Sequence, residues 1–290
     1  MDADKKLLDF LVRAESFLSK VEKILPVPLA APDANAHIAW RFVRRDRQFP
    51  KLEPIRNLGL IQFSDLINVE AQKQKIQQNT LNFVEGRPAN NVLLTGSRGT
   101  GKSSLVKACL HAYADRGLRL IEVDKDHLVD LPEIVEVLSP LSEKFIIFCD
   151  DLSFESGEPG YKSLKSILDG SVSATTSNVL IYATSNRRHL LPEYMSENMA
   201  YQHTEDGEVH PAEGVEEKIS LSERFGLWIS FYPFSQDEYL SIVNQWLQFF
   251  NYPISDSAKV HADALIWALE RGSRSGRVAF QFAKDYVGHS

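Results

Sequence analysis

Cysteine is scarce in this chain: there are two in 290 residues, Cys109 and Cys149. Two thiols cannot staple a disulfide scaffold or complete a zinc cluster, and they read as buried thiols of a reduced compartment. Long apolar runs are missing as well. None approaches the roughly 18–20 residues that a membrane span needs, and the longest, such as Phe145-Ile146-Ile147-Phe148-Cys149, has the length of a core strand. Asp9, Arg13 and Glu15 interrupt the apolar residues at the N-terminus, so no secretory leader is expected there and the cytoplasm is the expected location. An excess of basic charge is also absent. With 32 Lys and Arg against 39 Asp and Glu, the net charge is −7, which excludes a protein that coats nucleic acid with its whole surface. A core is not lacking: 43% hydrophobic and 10% aromatic residues exclude global disorder. The length fits one large domain or two unequal ones.

The acidity is local. Residues 193–217 hold Glu193, Glu197, Glu205, Asp206, Glu208, Glu213, Glu216 and Glu217 and no Lys or Arg, leaving 32 bases against 31 acids elsewhere. A long polar loop inside a compact domain is usually functional or disordered. This one reads either as a solvated loop or as a client- or pore-facing loop. His203 and His210 lie within it at a spacing that matches no standard metal-ligand pattern.

Near the N-terminus, residues 4–25 read as an amphipathic helix with a heptad seam at Leu7, Leu11, Ala14, Leu18, Val21 and Leu25. Pro26, Pro28 and Pro32 end it. It packs on its own protein or docks a partner or neighbouring subunit. Trp40–Phe49 then interleaves four arginines with three aromatics, followed by Lys51 and Arg56. That pattern either holds single-stranded nucleic acid by phosphate contact and base stacking or buries its aromatics and solvates its arginines.

The most informative stretch is Gly96-Ser97-Arg98-Gly99-Thr100-Gly101-Lys102-Ser103, a full match to G-x-x-x-x-G-K-[ST]. It follows the strand-like run Asn91–Thr95. Ser104 opens a helical pattern through Ala114. Glycines let the backbone wrap a phosphate without Cβ clashes, and its N–H groups form a nest at the positive end of the next helix. Lys102 then reaches the β- and γ-phosphates, and the Ser103 hydroxyl ligates Mg²⁺.

Phe145–Cys149 is the continuous apolar run expected of a parallel strand buried on both faces, and it ends in Asp150-Asp151. Asp150 is the expected metal-side carboxylate, and Asp151 the group that orients or deprotonates an attacking water. With Leu118–Val123, Val179–Thr184 and Leu227–Tyr232, five strands alternate with helical spacers, which means a parallel α/β sheet with ligands at its C-terminal edge. After Phe234 the pattern is purely helical.

In this order the motifs resemble the AAA+ P-loop ATPases over about residues 58–290. The resemblance implies a five-stranded parallel P-loop core (58–233), a small C-terminal all-helical lid (234–290) and a helical N-terminal extension (1–57). It implies that Asn186, at the end of its strand, senses the γ-phosphate. It also implies that Arg224, in Leu221-Ser222-Glu223-Arg224-Phe225, reaches the nucleotide of a neighbouring subunit. Arg277 takes the place of a second sensor, with Arg274 as the alternative. More narrowly the chain resembles a bacterial AAA+ family of unknown function that shares the Asp150–Glu155 run and the Ser-Glu-Arg-Phe element. Where the superfamily usually has Glu after the metal-side aspartate, this chain has Asp151, one methylene shorter, and slow turnover is expected. The resemblance therefore implies ATP and Mg²⁺ as ligands. It further implies a homo-oligomer, as a ring or open ring, that hydrolyses ATP to remodel or load a protein or nucleic-acid client. A nucleotide-gated scaffold or loader with little turnover, with DNA as a candidate associate, is the main alternative. A P-loop small-molecule kinase is a lesser one.

Overall fold

The computed structural model describes residues 10–18, 28–45, 49–59, 61–154, 158–169, 177–187, 221–253 and 256–289. The acidic stretch 193–217, with its two histidines, and Glu155 lie outside them. The strands are β1 (Ala39–Val43), β2 (Lys51–Pro54), β3 (Val92–Gly96), β4 (Leu118–Glu122), β5 (Lys144–Cys149), β6 (Val179–Ser185) and β7 (Leu227–Phe231). The helices are α1 (Glu70–Val84), α2 (Lys102–Tyr113), α3 (Leu131–Leu138), α4 (Pro159–Leu168), α5 (Gln236–Phe249), α6 (Ser257–Glu270) and α7 (Gly276–Gly288). A further helical stretch covers residues 10–18.

The seven strands form one sheet in the order β2-β1-β4-β5-β6-β3-β7. All neighbours are parallel except the β1–β2 hairpin. All five expected strands are present, but the sheet has seven. The additional pair comes from the arginine–aromatic stretch. Trp40 and Phe42 alternate with Arg41, as a strand with one buried face requires, and both aromatics are almost fully buried. Burying rings of this size stabilises by about 1.5–3 kcal/mol each, which outweighs the cost of placing arginines beside them. Those arginines are paired: Arg41 with Glu122 at 3.1 Å, and Arg44 with Asp130 at 2.6 Å and Glu133 at 3.1 Å. Trp40 and Phe42 are thus core residues and are not stacking platforms for bases.

Side chains of the central strands alternate between two apolar layers, as the period of two dictates. Phe145, Ile147 and Cys149 of β5 pack with Leu93, Ile181 and the α3–α4 side. Ile146 and Phe148 pack with Leu94, Tyr182 and helices α1, α2 and α5–α7. Cys109 and Cys149 fall in different layers, and burial pushes both thiols up to about 12. The Tyr182 hydroxyl is buried between Asn79 Nδ2 (3.1 Å) and Thr80 Oγ1 (2.9 Å). Tyr182→Phe leaves those groups short of a partner and is expected to lower stability by about 1–2 kcal/mol, read from the urea midpoint at unchanged m-value. An unchanged midpoint would mean that water replaces the hydroxyl.

At 10–18, Leu11 and Leu18 of the expected N-terminal seam are more than half exposed, as are Phe10, Val12 and Phe17. Among the described residues no helix is long and apolar enough to cross a membrane.

Candidate nucleotide site

The sheet order decides what meets what. β6 lies between β5 and β3, so the polar end of β6 is wedged between the glycine-rich loop after β3 and the acidic pair after β5. Strand β3 ends in Gly96, and Gly99 (φ +71°) and Gly101 (φ +98°) adopt left-handed backbone that a side chain would strain. Lys102 then starts α2.

Lys102 is buried. Its ammonium donates to the carbonyls of Gly96 and Ser97, each at 2.7 Å, and to Asn186 Oδ1 at 3.0 Å. Burial lowers its pKa to about 8. Asp150 and Asp151 oppose that shift, while Arg98 and Arg277 add to it. Thr100 Oγ1 closes the loop on the Ser97 carbonyl at 2.8 Å.

Ser103 Oγ donates to Asp150 Oδ1 at 2.6 Å, and Thr184 Oγ1 donates to the same oxygen at 2.5 Å. Thr184 Oγ1 also accepts from the Asp151 backbone N–H at 2.9 Å. Asp151 has a left-handed backbone (φ +52°) that turns its carboxylate onto Asn186, whose Nδ2 donates to Oδ1 at 2.5 Å. Arg98 stands 3.9 Å from the other oxygen of Asp151. Hydroxyl and carboxylate oxygens are the hard donors that Mg²⁺ prefers, so the Ser103–Asp150 pair fits that ion.

A cavity of about 730 Å³ opens beside this cluster. Its polar end is lined by Arg98, Gly99, Thr100, Gly101, Lys102, Ser103, Ser104, Asp150, Asp151, Thr184 and Asn186, together with Arg277. The rest of its lining is largely apolar, from Ile61, Leu66, Ile67 and Val69 before α1 and from Phe234, Ile242, Trp246 and Phe280 of the C-terminal part, with Asp65 and Gln245 among them. Gly96 and Ser97 face Lys102 with their carbonyls. Arg277 lines the cavity and Arg274 does not. Arg224 is not part of the lining; its Nε donates to Asp169 Oδ1 at 2.5 Å.

The C-terminal helices reach the loop directly. Gly276 N–H donates to the Gly99 carbonyl at 2.9 Å, and a Cβ on Gly99 would come within 2.8 Å of Ser275 Oγ. Ser275 caps α7 by accepting from Val278 N–H.

The family model described as "Protein of unknown function (DUF815)" matches residues 35–290. The chain belongs to this family. Its match takes in the β1–β2 hairpin as well as the glycine-rich loop and the C-terminal helices. No curated protein matches the chain in sequence. Among solved structures, it is similar to the RuvB Holliday junction branch migration motor of Thermotoga maritima, with 14% identity, TM-score 0.50 and coverage of 78% of this chain and 64% of that one. It is also similar to a proline-to-glycine mutant of the same protein, with 16% identity, TM-score 0.53 and coverage of 77% and 64%. A third is the Orc1 protein of Aeropyrum pernix in complex with DNA, with 18% identity, TM-score 0.51 and coverage of 73% and 57%. The chain spans less than two thirds of the length of these structures. The likeness is one of fold, and the fold is that of the AAA+ P-loop proteins.

Sequence reasoning did not single out Thr184 or the apolar walls. Ile242 and Trp246 of α5 lie four residues apart, which puts them on one helix face. That spacing alone does not distinguish a cavity wall from a packed core.

Proposed function

We propose that the protein binds ATP with Mg²⁺ and hydrolyses it within a homo-oligomer, a ring or open ring, to remodel or load a macromolecular client. The observation that carries this reading is the convergence of Lys102, the Ser103–Asp150 pair and the Asp151–Asn186 pair on one cavity whose remaining lining is largely apolar. The backbone of the loop and Lys102 would hold the β- and γ-phosphates. Ser103 and Asp150 would hold Mg²⁺, which supplies charge neutralisation across the phosphates. Asp151 would orient the attacking water and take its proton as the oxygen bonds to the γ-phosphorus and the β–γ bridging bond breaks. Asn186, bonded to both Lys102 and Asp151, sits where it would report the γ-phosphate to the water-positioning group. Residues 234–290 would act as a lid, with Arg277 as its cationic contact, closing on a core of residues 58–233 that β1 and β2 extend. Arg224 would serve the site of the adjacent subunit, where it would stabilise transition-state charge.

Asp151→Asn separates binding from chemistry. Nucleotide affinity is expected to stay within about twofold while turnover falls about 10²–10⁴-fold. Equal, nonzero rates for the variant and the wild type would remove Asp151 from the mechanism.

A nucleotide-gated scaffold with little turnover is favoured by one observation. Asp151, already the shorter acid, is held by Asn186 and lies against Arg98. In subunit-mixing experiments, full client activity in assemblies diluted with Asp151→Asn subunits supports the scaffold, and loss in proportion to dilution supports the motor.

A further inference from the structure

Arg224 sits in a turn whose neighbours Leu221, Ser222 and Phe225 are buried, so its backbone is firmly placed. Its partner Asp169 is the C-terminal cap residue of α4. That is the wrong end of a helix for an acid. The exposed carbonyls there make the helix terminus partially negative, and cations are the groups it favours. At that end the carboxylate gains nothing from the helix dipole, and it accepts from the guanidinium. Helix α4 is itself well anchored. Tyr161 and Leu164 are buried, and Phe154, three residues beyond Asp151, meets Tyr161 edge-on at 5.7 Å. Asp169 therefore offers a fixed acceptor, and a bond at Nε sets the plane in which the guanidinium lies. Neither Asp169 nor Arg224 lines the chain's own cavity.

We propose that Asp169 is a positioning residue for Arg224, holding the guanidinium in the orientation in which it is presented to the nucleotide of the neighbouring subunit. The inference rests on the trans reading of Arg224 given above and adds to it a carboxylate that never touches nucleotide. A misplacement of about 1 Å in a charge-stabilising group costs about a hundredfold in rate, so the pair governs kcat and leaves ATP affinity alone.

The experiment uses full-length protein, ATP turnover, ATP titration and subunit mixing. Asp169→Ala is expected to lower kcat about ten- to a hundredfold with KM, ATP affinity and thermal midpoint little changed. Asp169→Asn, which keeps an oxygen acceptor for Nε, is expected to recover most of the loss. Combining Asp169→Ala with Arg224→Ala is expected to be no worse than Arg224→Ala alone. Mixing Asp169→Ala subunits with Lys102→Ala subunits, which have a dead site but an intact Arg224–Asp169 pair, is expected to restore turnover at the Asp169→Ala sites. Adding Arg224→Ala to the Lys102→Ala subunits abolishes that rescue. If Arg224→Ala loses turnover while Asp169→Ala keeps it, the positioning role fails and the trans reading stands. A gain of turnover in Asp169→Ala would make the pair a restraint and overturn the proposal in its stated sense. Absence of rescue on mixing, or a loss explained by a lower thermal midpoint, also overturns it. Wild-type turnover in Arg224→Ala, or no turnover in the wild type, overturns the trans reading and the proposal with it.

Discussion

Lys102→Ala is expected to reduce ATP turnover by about a hundredfold to a thousandfold, the usual effect of removing one preorganised donor from a phosphate or oxyanion site, and to weaken ATP binding measurably. Lys102 is the joint of the polar network. It bonds two carbonyls of its own loop and the side chain that contacts Asp151. Alanine therefore removes the cation and also leaves Asn186 without one of its partners. Burial has already lowered the lysine's pKa to about 8 against the pull of Asp150 and Asp151, and a bound polyphosphate would add negative charge that favours the protonated form. Lys102→Arg retains charge, but its planar fork cannot take the compact place of an ammonium between two carbonyls. It is expected to fall near alanine in turnover while binding better. Turnover in Lys102→Ala at the wild-type rate would show that hydrolysis takes place elsewhere.

Gly96→Ala is expected to be the most destabilising single substitution in the loop. A Cβ there would stand 1.8 Å from the Phe231 carbonyl oxygen, 2.8 Å from its carbon and 3.0 Å from its nitrogen, at a φ of +122°. All three atoms are backbone, so no rotamer change relieves the overlap. Gly96 pairs with Phe231 at the end of the β3–β7 ladder, and the two strands must part to admit a methyl group. The expected cost is about 4 kcal/mol or more, at the high end for a point substitution. That lowers the thermal midpoint by roughly 10 °C in a chain of this size. Gly59→Ala, where nothing lies within 4 Å of the added Cβ, is the control and is expected to stay within about 0.5 kcal/mol. Comparable midpoints for the two would refute the steric account.

The glycine-rich loop, proposed to bind phosphate, was legible as a strand–loop–helix unit from residues alone because its signal is local. Gly96, Gly99 and Gly101 encode a backbone shape, and Lys102 and Ser103 encode the groups that shape presents. That Asp150, Asp151 and Asn186 would come beside this loop was legible for a related reason, since each follows an apolar run long enough to be a strand. The β1–β2 hairpin was harder to see because the charges of Arg41, Arg44 and Arg45 mask the alternation of Trp40 and Phe42, and the carboxylates that pair with Arg41 and Arg44, from Glu122, Asp130 and Glu133, are about 80–90 residues away in the chain. The apolar walls were hidden for a topological reason. Leu66, Phe234, Trp246 and Phe280 share a cavity only because the sheet order and three C-terminal helices fold them around it. Asp169 carries no motif, and its meaning appears only once Arg224 is beside it.

The bond from Gly276 N–H to the Gly99 carbonyl has a mechanical consequence. The loop proposed to grasp the phosphates is tethered to the start of α7, whose Phe280 meets Trp246 of α5 edge-on at 4.8 Å, both rings lining the same cavity. A swing of the C-terminal helices therefore either snaps this tether or drags the loop along. The loop and the apolar part of the cavity are thus mechanically linked, this bond acting beside those that Asn68 and Gln245 make between α5 and the segment before α1.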